Sequence, residues 1–242
     1  MIRRIYLLQW LLSLVFIVQM YLAMAVLALV FTPIAIFRRE AAMAACQNFC
    51  RWVRFSLRVI CGLRTEVRGT PPTGAALVPA KHQSFLDILL IFGAMEQPRF
   101  IMKRELVYAP ILGWYALRVG CVPVSRGKRG EAIKRMMDRV REGAERPGQL
   151  VIYPQGTRVA PGAKLPYKVG AALLYAQMGG ACVPVAANVG LFWPRHGIYR
   201  KPGTAVVEFL APIEPGLPQG IFMERLERSI ETASDRLMAE AR

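Results

Sequence analysis

The sequence is short of acidic residues. Its 242 residues include 16 Asp and Glu against 32 Lys and Arg, which gives a formal net charge of +16 at pH 7. A chain of this charge attracts polyanions, namely nucleic acids, anionic membranes or phosphorylated substrates. Charged residues make up only 20% of the chain and hydrophobic residues 54%, a composition that excludes an intrinsically disordered protein.

Signatures of several enzyme and metal-binding classes are also missing. There is no GxSxG, GxGxxG or GxxxxGK[ST] motif, which argues against a serine hydrolase, a Rossmann dehydrogenase and a P-loop enzyme. The five cysteines are odd in number and form no CxxC pair, so we expect neither a metal site nor a disulfide framework. We expect them to be small buried hydrophobic residues in a reducing compartment: Cys46, Cys50, Cys61, Cys121 and Cys182.

A long uncharged stretch lies near the N-terminus. No charged residue occurs from Ile5 to Phe37, whereas about 20 apolar residues in a helix suffice to cross a bilayer core. The pattern predicts a membrane-embedded helix over 5–37 that Pro33 ends or kinks. Arginine pairs flank both ends and therefore cancel as a signal of topology. Whether the helix crosses the bilayer or lies in one leaflet stays open. The basic residues beyond it favour the inner membrane, with the remaining domain facing the cytoplasm.

A second helix of another kind is predicted over 40–62. Three arginines fall on one side at helical spacing and three apolar residues on another: Arg51, Arg54, Arg58, Phe49, Val53 and Ile60. Such a basic amphipathic helix suits the headgroup layer of a membrane, and the alternative is a helix packed on the domain with a solvated arginine face. Membrane contact then accounts for much of the charge. Without zinc-finger spacing or an RNP-like motif, we expect no nucleic acid partner.

The chain beyond residue 62 alternates β-rich runs with helical patterns. We therefore predict an α/β domain over 63–242, with a mixed sheet flanked by helices and preceded by a membrane-embedded two-helix segment over 1–62. The predicted strands are 63–68, 75–80, 99–103, 121–124, 150–153, 181–188 and 205–210. The predicted helices are 84–93, 106–119, 131–142, 167–178 and 220–241, the last with Leu226, Ile230, Ala233 and Leu237 as a core stripe.

One of the two histidines stands where α/β sheets tend to form sites. His82 follows the carboxyl end of the strand predicted over 75–80, and Ser84 with Asp87 forms a capping box for the next helix. If Asp87 accepts a hydrogen bond from one imidazole nitrogen, the other nitrogen is free to act as a base. Two alternatives stay open: Asp87 only caps its helix beside a turn histidine, or Ser84 is a covalent nucleophile.

A second stretch follows the strand predicted over 150–153. It reads Pro154-Gln155-Gly156-Thr157-Arg158, in which Gly156 permits close approach of a ligand to the backbone. Thr157 offers a hydroxyl, and Arg158 offers a planar guanidinium suited to phosphate. The alternative is an ordinary surface loop with a solvated arginine.

Together these two stretches resemble the glycerolipid acyltransferase family, and within it the bacterial lysophosphatidate (1-acylglycerol-3-phosphate O-) acyltransferases. The family's N-H-x-S-x-x-D block is matched by His82, Ser84 and Asp87, and its P-E-G-T-R block by Pro154 and residues 156–158. Residues 120–126 match a block that ends in arginine after an apolar strand. Residues 183–185 match a V-P-V block, and MKREL at 102–106 is similar to a Lys-rich stretch.

Three positions depart from the family pattern. Lys81 replaces the common Asn before the histidine, Ser125 the common Asp before Arg126, and Gln155 the common Glu. Glutamine has no carboxyl proton to exchange. Any contribution of Gln155 is therefore positioning or hydrogen bonding rather than acid–base chemistry.

The resemblance implies acyl transfer from a thioester to the 2-hydroxyl of lysophosphatidate, with phosphatidate as product. It implies His82 as general base and Asp87 as its partner, with no cofactor or metal. The lysophospholipid phosphate would meet Arg158 with Gly156, Thr157 and Gln155, helped by Arg126 and Lys103. The acyl donor would be acyl carrier protein or coenzyme A, and the membrane bilayer a further partner. His196 is interpreted as a loop residue without a direct role.

Two other functions stay open on the sequence alone. The acceptor could be another lysolipid such as lyso-ornithine lipid, which would depend less on Arg158 because it lacks a phosphate monoester. A non-catalytic basic protein of the membrane surface would not need His82 at all.

Overall fold

A computed structural model describes residues 2–125, 134, 136–138, 140–141 and 148–241, with side chains from Tyr6 onward. Half of the helix predicted over 131–142, six of its twelve residues, lies outside these residues, and the six described positions are helical. Helix α1 covers Ile2–Ala35, with Pro33 in its last turn, and helix α2 covers Arg39–Cys61. Both N-terminal helices are therefore present, with bounds within three residues of those predicted.

The first two helices form an antiparallel pair. Gln19 Nε2 donates to Ser56 Oγ at 2.9 Å, and Gln9 Nε2 donates to the Cys61 carbonyl at 3.0 Å. Helix α2 packs against both α1 and the α/β domain, and its buried residues are small or apolar: Ala42, Ala45, Cys50, Val53, Ser56, Leu57 and Cys61. Arg51 and Arg58 remain exposed, and so do the neighbouring apolar residues Trp52, Phe55 and Val59. Contact of this face with membrane headgroups therefore stays a prediction.

The part of the chain that the structure describes contains eight strands in two sheets. The first is parallel, in the order β4-β3-β5-β2-β6, and the second has the order β1-β8-β7 with β7 antiparallel to β8. The strands are Leu63–Arg68 (β1), Ala76–Pro79 (β2), Pro98–Lys103 (β3), Val122–Val124 (β4), Gln149–Ile152 (β5), Ala181–Cys182 (β6), Val185–Ala187 (β7) and Gly203–Phe209 (β8). The sheets meet where Ala80 bridges to Val185.

Helices described over their full length that flank these sheets are Phe85–Ala94 (α3), Leu112–Arg118 (α4), Gly170–Met178 (α5) and Gln219–Glu240 (α6). Short 3₁₀ helices occur at Arg104–Tyr108 and Val189–Leu191. The predicted stripe of α6 is buried at Leu226, Ile230, Ala233 and Leu237. The predicted α/β fold with a mixed sheet flanked by helices is confirmed.

Two predicted elements are divided in the structure, each at a proline. The strand predicted over 181–188 is two strands in different sheets, because Pro184 has no N–H for a ladder hydrogen bond and the chain changes sheet there. The helix predicted over 106–119 begins as a 3₁₀ turn, and α4 starts only after Pro110. Ile111 between them has a φ of 63°, which a continuous helix does not allow.

One hydrophobic cluster joins the N-terminal helices to the α/β domain. It contains Phe16 and Met20 of α1, Leu57 of α2, Leu90 of α3 and Val151 of β5. Among the described residues one helix, Tyr6–Ala35, is long and apolar enough to cross a membrane, and most of it is exposed. The division at residue 62 into a membrane-associated part and an α/β part stays a prediction.

Candidate active site

The sequence motifs gather at one edge of the five-stranded sheet. Because β2, β3, β4 and β5 are parallel, their carboxyl ends lie on the same side. His82 follows β2, Tyr153 follows β5, and Lys103 ends β3. Crevices outside the carboxyl ends of such strands are the usual sites of open α/β sheets.

The turn after β2 places the histidine and the aspartate together. Ser84 caps α3, and its Oγ accepts a hydrogen bond from the Leu86 amide at 3.1 Å. The predicted capping box is present: the backbone N–H of Ser84 donates to Asp87 Oδ2 at 2.7 Å. Ser84 is fully buried, and its hydroxyl serves the helix cap, which disfavours Ser84 as a nucleophile.

Asp87 also accepts the imidazole hydrogen bond that the sequence predicts. His82 Nδ1 lies 2.8 Å from Asp87 Oδ1, and the second carboxylate oxygen accepts from the Gln83 amide at 2.8 Å. An ionised carboxylate only accepts hydrogen bonds, so the proton of a neutral His82 belongs on Nδ1. Nε2 then carries the lone pair of a base. Asp87 is fully buried, whereas 13% of the His82 side chain is exposed, which leaves the imidazole reachable by a substrate.

Tyr153 is a site residue that the sequence analysis missed. Its hydroxyl donates to Asp87 Oδ1 at 2.9 Å, and its ring stacks on the His82 imidazole with centroids 3.8 Å apart. Burial, together with the Asp87 carboxylate, raises the pKa of the Tyr153 phenol well above 10, so it stays a donor. The only sequence signal is its place at a strand exit just before Pro154.

The loop that begins at Pro154 is attached to the histidine turn. The Val159 amide donates to the His82 carbonyl at 2.8 Å, and the Gly156 amide donates to the Tyr153 carbonyl at 2.8 Å. Gly156 has a φ of +70°, the left-handed region that favours glycine. Gln155 is buried and its amide donates to the Leu165 carbonyl at 3.3 Å, which places it inside the loop.

Arg158 lies beside a second arginine that the sequence analysis did not single out. Arg158 Nη1 donates to the Arg195 carbonyl at 3.3 Å, and Arg195 Nη1 donates to the Arg158 carbonyl at 3.4 Å. Two guanidinium groups on adjoining loops repel each other, so the pair favours binding an anion between or beside them. His196, next along the chain, is exposed.

The structure ties the remaining predicted binding residues less closely to the His82–Asp87 pair. Thr157 is half-buried in the Pro154 loop. Lys103 stands at the same sheet edge, two strands from β2, and pairs with Glu105 at 3.2 Å. Arg126 lies outside the described residues, which resume only at residue 134. The structure therefore brings together His82, Asp87 and the Pro154 loop, and leaves Lys103 farther along the edge.

Comparison with known proteins gives the chain its relatives. A sequence profile of the family described as Acyltransferase matches residues 64–188. The 1-acyl-sn-glycerol-3-phosphate acyltransferase of Pseudomonas aeruginosa is 31% identical over 177 residues, which cover 72% of this chain and 68% of that protein. The alpha enzyme of the same name from Mus musculus is 30% identical over 63% of this chain, a match that spans 55% of the mouse protein.

A solved structure shows the same fold. The crystal structure of the 1-acyl-sn-glycerophosphate acyltransferase PlsC from Thermotoga maritima superposes with a TM-score of 0.80, over 97% of this chain and 99% of that one. Sequence identity in that superposition is 19%, so this likeness bears on the fold.

Proposed function

This chain belongs to the acyltransferase family, and from that premise we infer that it acylates the 2-hydroxyl of 1-acylglycerol 3-phosphate to give phosphatidate. One observation carries the chemistry: a buried Asp87 holds His82 through Nδ1 at 2.8 Å, so that Nε2 is the basic nitrogen. The names of the relatives above support the choice of acceptor.

The reaction needs one base and one acid, and His82 is both. Nε2 takes the proton of the acceptor hydroxyl while that oxygen bonds to the thioester carbon. The tetrahedral intermediate collapses, the carbon–sulfur bond breaks, and the imidazolium returns the proton to the departing thiolate. Asp87 stabilises the imidazolium and keeps its orientation, as the aspartate of a catalytic triad does. No acyl-enzyme is required, because the acceptor itself is the nucleophile.

The acceptor phosphate fits the arginine pair. Arg158 and Arg195 lie on loops that touch each other, and the residue after Arg158 hydrogen bonds to the His82 carbonyl. Guanidinium groups bind phosphate oxygens in a bidentate manner. A phosphate held there keeps the rest of the lysolipid near the base. Gly156 and Thr157 belong to the same loop, and Lys103 and Arg126 are proposed as outer contributors.

The acyl donor is an acyl thioester of acyl carrier protein or coenzyme A. Both are anionic, and the net charge of +16 suits either one. The carrier supplies the thioester as a co-substrate, and the chain's own His82 supplies the proton transfers.

We also propose that the enzyme sits on the cytoplasmic face of the inner membrane with α1 lying along the bilayer rather than across it. Contacts with the α/β domain occur near both ends of α1: Gln9 Nε2 donates to the Arg200 carbonyl at 2.7 Å, and the Ala35 carbonyl accepts from Arg118 at 2.8 Å. The contacts from Gln9 to Ala35 extend over about 39 Å of helix, at 1.5 Å per residue, whereas a hydrocarbon core is about 30 Å thick. If α1 crossed the bilayer upright, the part of the α/β domain attached along it would be drawn into the hydrocarbon core.

The proposed function is tested by acyl transfer in lipid with both donors and two acceptors, 1-acylglycerol 3-phosphate and lyso-ornithine lipid. We expect phosphatidate from the first acceptor. Arg158→Ala and Arg195→Ala should each raise the acceptor KM about tenfold, the effect of losing one charge-assisted phosphate contact. Transfer to lyso-ornithine lipid alone would overturn the acceptor, and no transfer by folded protein would overturn the reaction.

A further inference from the structure

A buried ion pair lies directly behind the histidine turn. Lys81 Nζ is 2.7 Å from Glu231 Oε1 and 2.6 Å from Oε2. The Lys81 side chain is 2% exposed and that of Glu231 is 19% exposed. An ammonium group withdrawn from water to this extent needs its counter-ion, because little else compensates for the lost hydration.

Glu231 has a second hydrogen-bond partner, which belongs to the loop that starts at Pro154. Tyr167 donates its hydroxyl hydrogen bond to Glu231 Oε1 at 2.8 Å. Burial and the Glu231 carboxylate raise the pKa of the Tyr167 phenol, so it remains a donor. Tyr167 stands at the closing end of the loop that starts at Pro154, where the Lys168 amide donates to the Pro154 carbonyl at 2.9 Å.

One carboxylate thus contacts both segments of the site from a third element. Glu231 belongs to α6, which lies beyond the residues 64–188 matched by the family profile. Its neighbour Ile230 is fully buried in a hydrophobic cluster with Leu77 of β2 and Leu150 of β5, which fixes this part of α6. The two segments also meet directly through Val159 and His82, so a displacement of either one reaches the imidazole.

We propose that Glu231 is a positioning residue for acyl transfer: it holds the His82 turn through Lys81 and the Pro154 loop through Tyr167. This inference rests on the proposed function above. Glu231 touches no reacting atom, so its effect falls on the orientation of the imidazole. A misplaced base lowers kcat while substrate affinity is kept.

The test is a double-mutant cycle in the full-length protein. Glu231→Gln leaves the Lys81 ammonium buried without a counter-ion, whereas Lys81→Asn leaves Glu231 with Tyr167. The double variant replaces the pair by two neutral amides. Glu224→Gln is the matched control, because Glu224 lies on the same helix with its side chain 76% exposed. Thermal unfolding of each variant gives the folded fraction at the assay temperature.

We expect Glu231→Gln to lower kcat about tenfold or more with both KM values changed by less than about twofold. Lys81→Asn in the same background should recover at least about threefold of that loss, since coupled residues are not additive. Glu224→Gln should match wild type. Wild-type kcat in Glu231→Gln, or a loss that disappears once rates are scaled to the folded fraction, would overturn the proposal.

A second readout does not depend on turnover. The chain has two histidines, His82 and His196, so the imidazole resonances of isotope-labelled protein are assigned by His196→Ala. Glu231→Gln should shift or broaden the His82 signals and leave those of His196 in place. An unchanged His82 spectrum contradicts the positioning role. If wild type fails to acylate any acceptor, the function is wrong, and the spectrum alone decides on Glu231.

Discussion

Asp87 is the residue on which the site depends. Its carboxylate accepts four hydrogen bonds, from His82 Nδ1, the Gln83 and Ser84 amides and the Tyr153 hydroxyl. Two of these fix the helix cap and two fix the imidazole and its stacked ring. A capping role and a catalytic role therefore do not exclude each other, because each uses a different side of the carboxylate.

Replacing that carboxylate should separate chemistry from binding. Asp87→Asn replaces one of two oxygens, each of which accepts two hydrogen bonds, by an NH2 group. The remaining oxygen suits the two backbone amides, which can only donate, so the NH2 group faces His82 and the Nδ1–H tautomer loses its acceptor. We expect kcat to fall about 10³-fold or more, by analogy with triads that lose their aspartate, with both KM values nearly unchanged. Steady-state kinetics measure both.

Ser84→Ala is the matched control for the cap. It removes a helix-cap acceptor at a cost of about 1 kcal/mol in the free energy of unfolding. Because the Ser84 backbone N–H still donates to Asp87, we expect activity within about threefold of wild type. A loss as large as that of Asp87→Asn would revive Ser84 as the nucleophile.

Tyr153 offers a second residue-scale prediction. Tyr153→Phe keeps the ring against His82 but removes the hydroxyl that bonds to Asp87. Loss of one hydrogen bond to a charged group corresponds to about 1.5–3 kcal/mol. We therefore expect kcat to fall about tenfold in Tyr153→Phe. In Tyr153→Ala, which also loses the ring, kcat should fall further. Equal rates in the phenylalanine variant and wild type would show that the hydroxyl is not used.

The same tyrosine predicts how stability depends on alkaline pH. The Tyr153 pKa is raised well above 10 in the folded protein by burial and by Asp87, whereas an unfolded tyrosine titrates near pH 10. Above about pH 10 the unfolded chain releases a proton that the folded chain keeps, so stability present below that pH is lost as the pH rises. Urea unfolding at pH 9 and pH 11 should show a smaller decline for Tyr153→Phe than for wild type.

At the scale of elements, the Pro154 loop connects the base to the anion site. Gly156→Ala forces alanine into a backbone with φ near +70°, at a cost of about 1–2 kcal/mol. Gly162, with φ near +77° and open space around it, lies in the same loop and carries the same backbone penalty. The Cβ added by Gly156→Ala would also come within 2.5 Å of Lys168 Nζ, the end of a flexible side chain that can move aside. We expect the backbone penalty to be alike in the two variants and only Gly156→Ala to lower kcat/KM, by about tenfold.

If Gly156→Ala and Gly162→Ala lose equal activity, the backbone at position 156 has no special part in the site. If neither loses activity, the loop tolerates strain and the resemblance of its motif has no functional weight. Kinetics and unfolding measured on the same preparations distinguish these outcomes.

Elements close together in sequence were predictable, and contacts between distant ones were not. His82, Ser84 and Asp87 share one turn, so the capping box and the imidazole pair follow from local spacing. Tyr153 reaches Asp87 across 66 positions, and Lys81 reaches Glu231 across 150. Such contacts depend on which strands are neighbours, and one sequence does not supply that order. Pro184 and Pro110 do stand in the sequence, and each interrupts an element that hydrophobic patterning predicts as continuous.

At the scale of the whole molecule, α1 is both an apolar surface and part of the core. On the inner side of the helix the ring of Phe16 packs against that of Trp193, with the ring centroids 5.5 Å apart. On the outer side Leu29 is 79% exposed, and Phe37, just after the end of α1, is 83% exposed. A helix that is apolar on its outer face and attached to a basic domain along its length suits the surface of an anionic bilayer.

This arrangement predicts that both ends of α1 lie on one side of the membrane. Arg4→Cys and Arg38→Cys introduce thiols at the arginines that flank the uncharged stretch Ile5–Phe37, outside the apolar positions that would face lipid. In sealed vesicles of either orientation, a membrane-impermeant thiol reagent should label both variants from the cytoplasmic side. The native cysteines are measured in wild type as the background. Labelling of the two positions from opposite sides would mean that α1 crosses the bilayer.

The most direct test of the account is phosphatidate formation by wild type and His82→Ala, in the same lipid, with 1-acylglycerol 3-phosphate and an acyl thioester. The account predicts phosphatidate from wild type and a loss of about 10³-fold or more in the variant, the size expected when a general base that also acts as the acid is removed. Equal rates in the two proteins would contradict it, since His82 would then be a turn residue beside a helix cap.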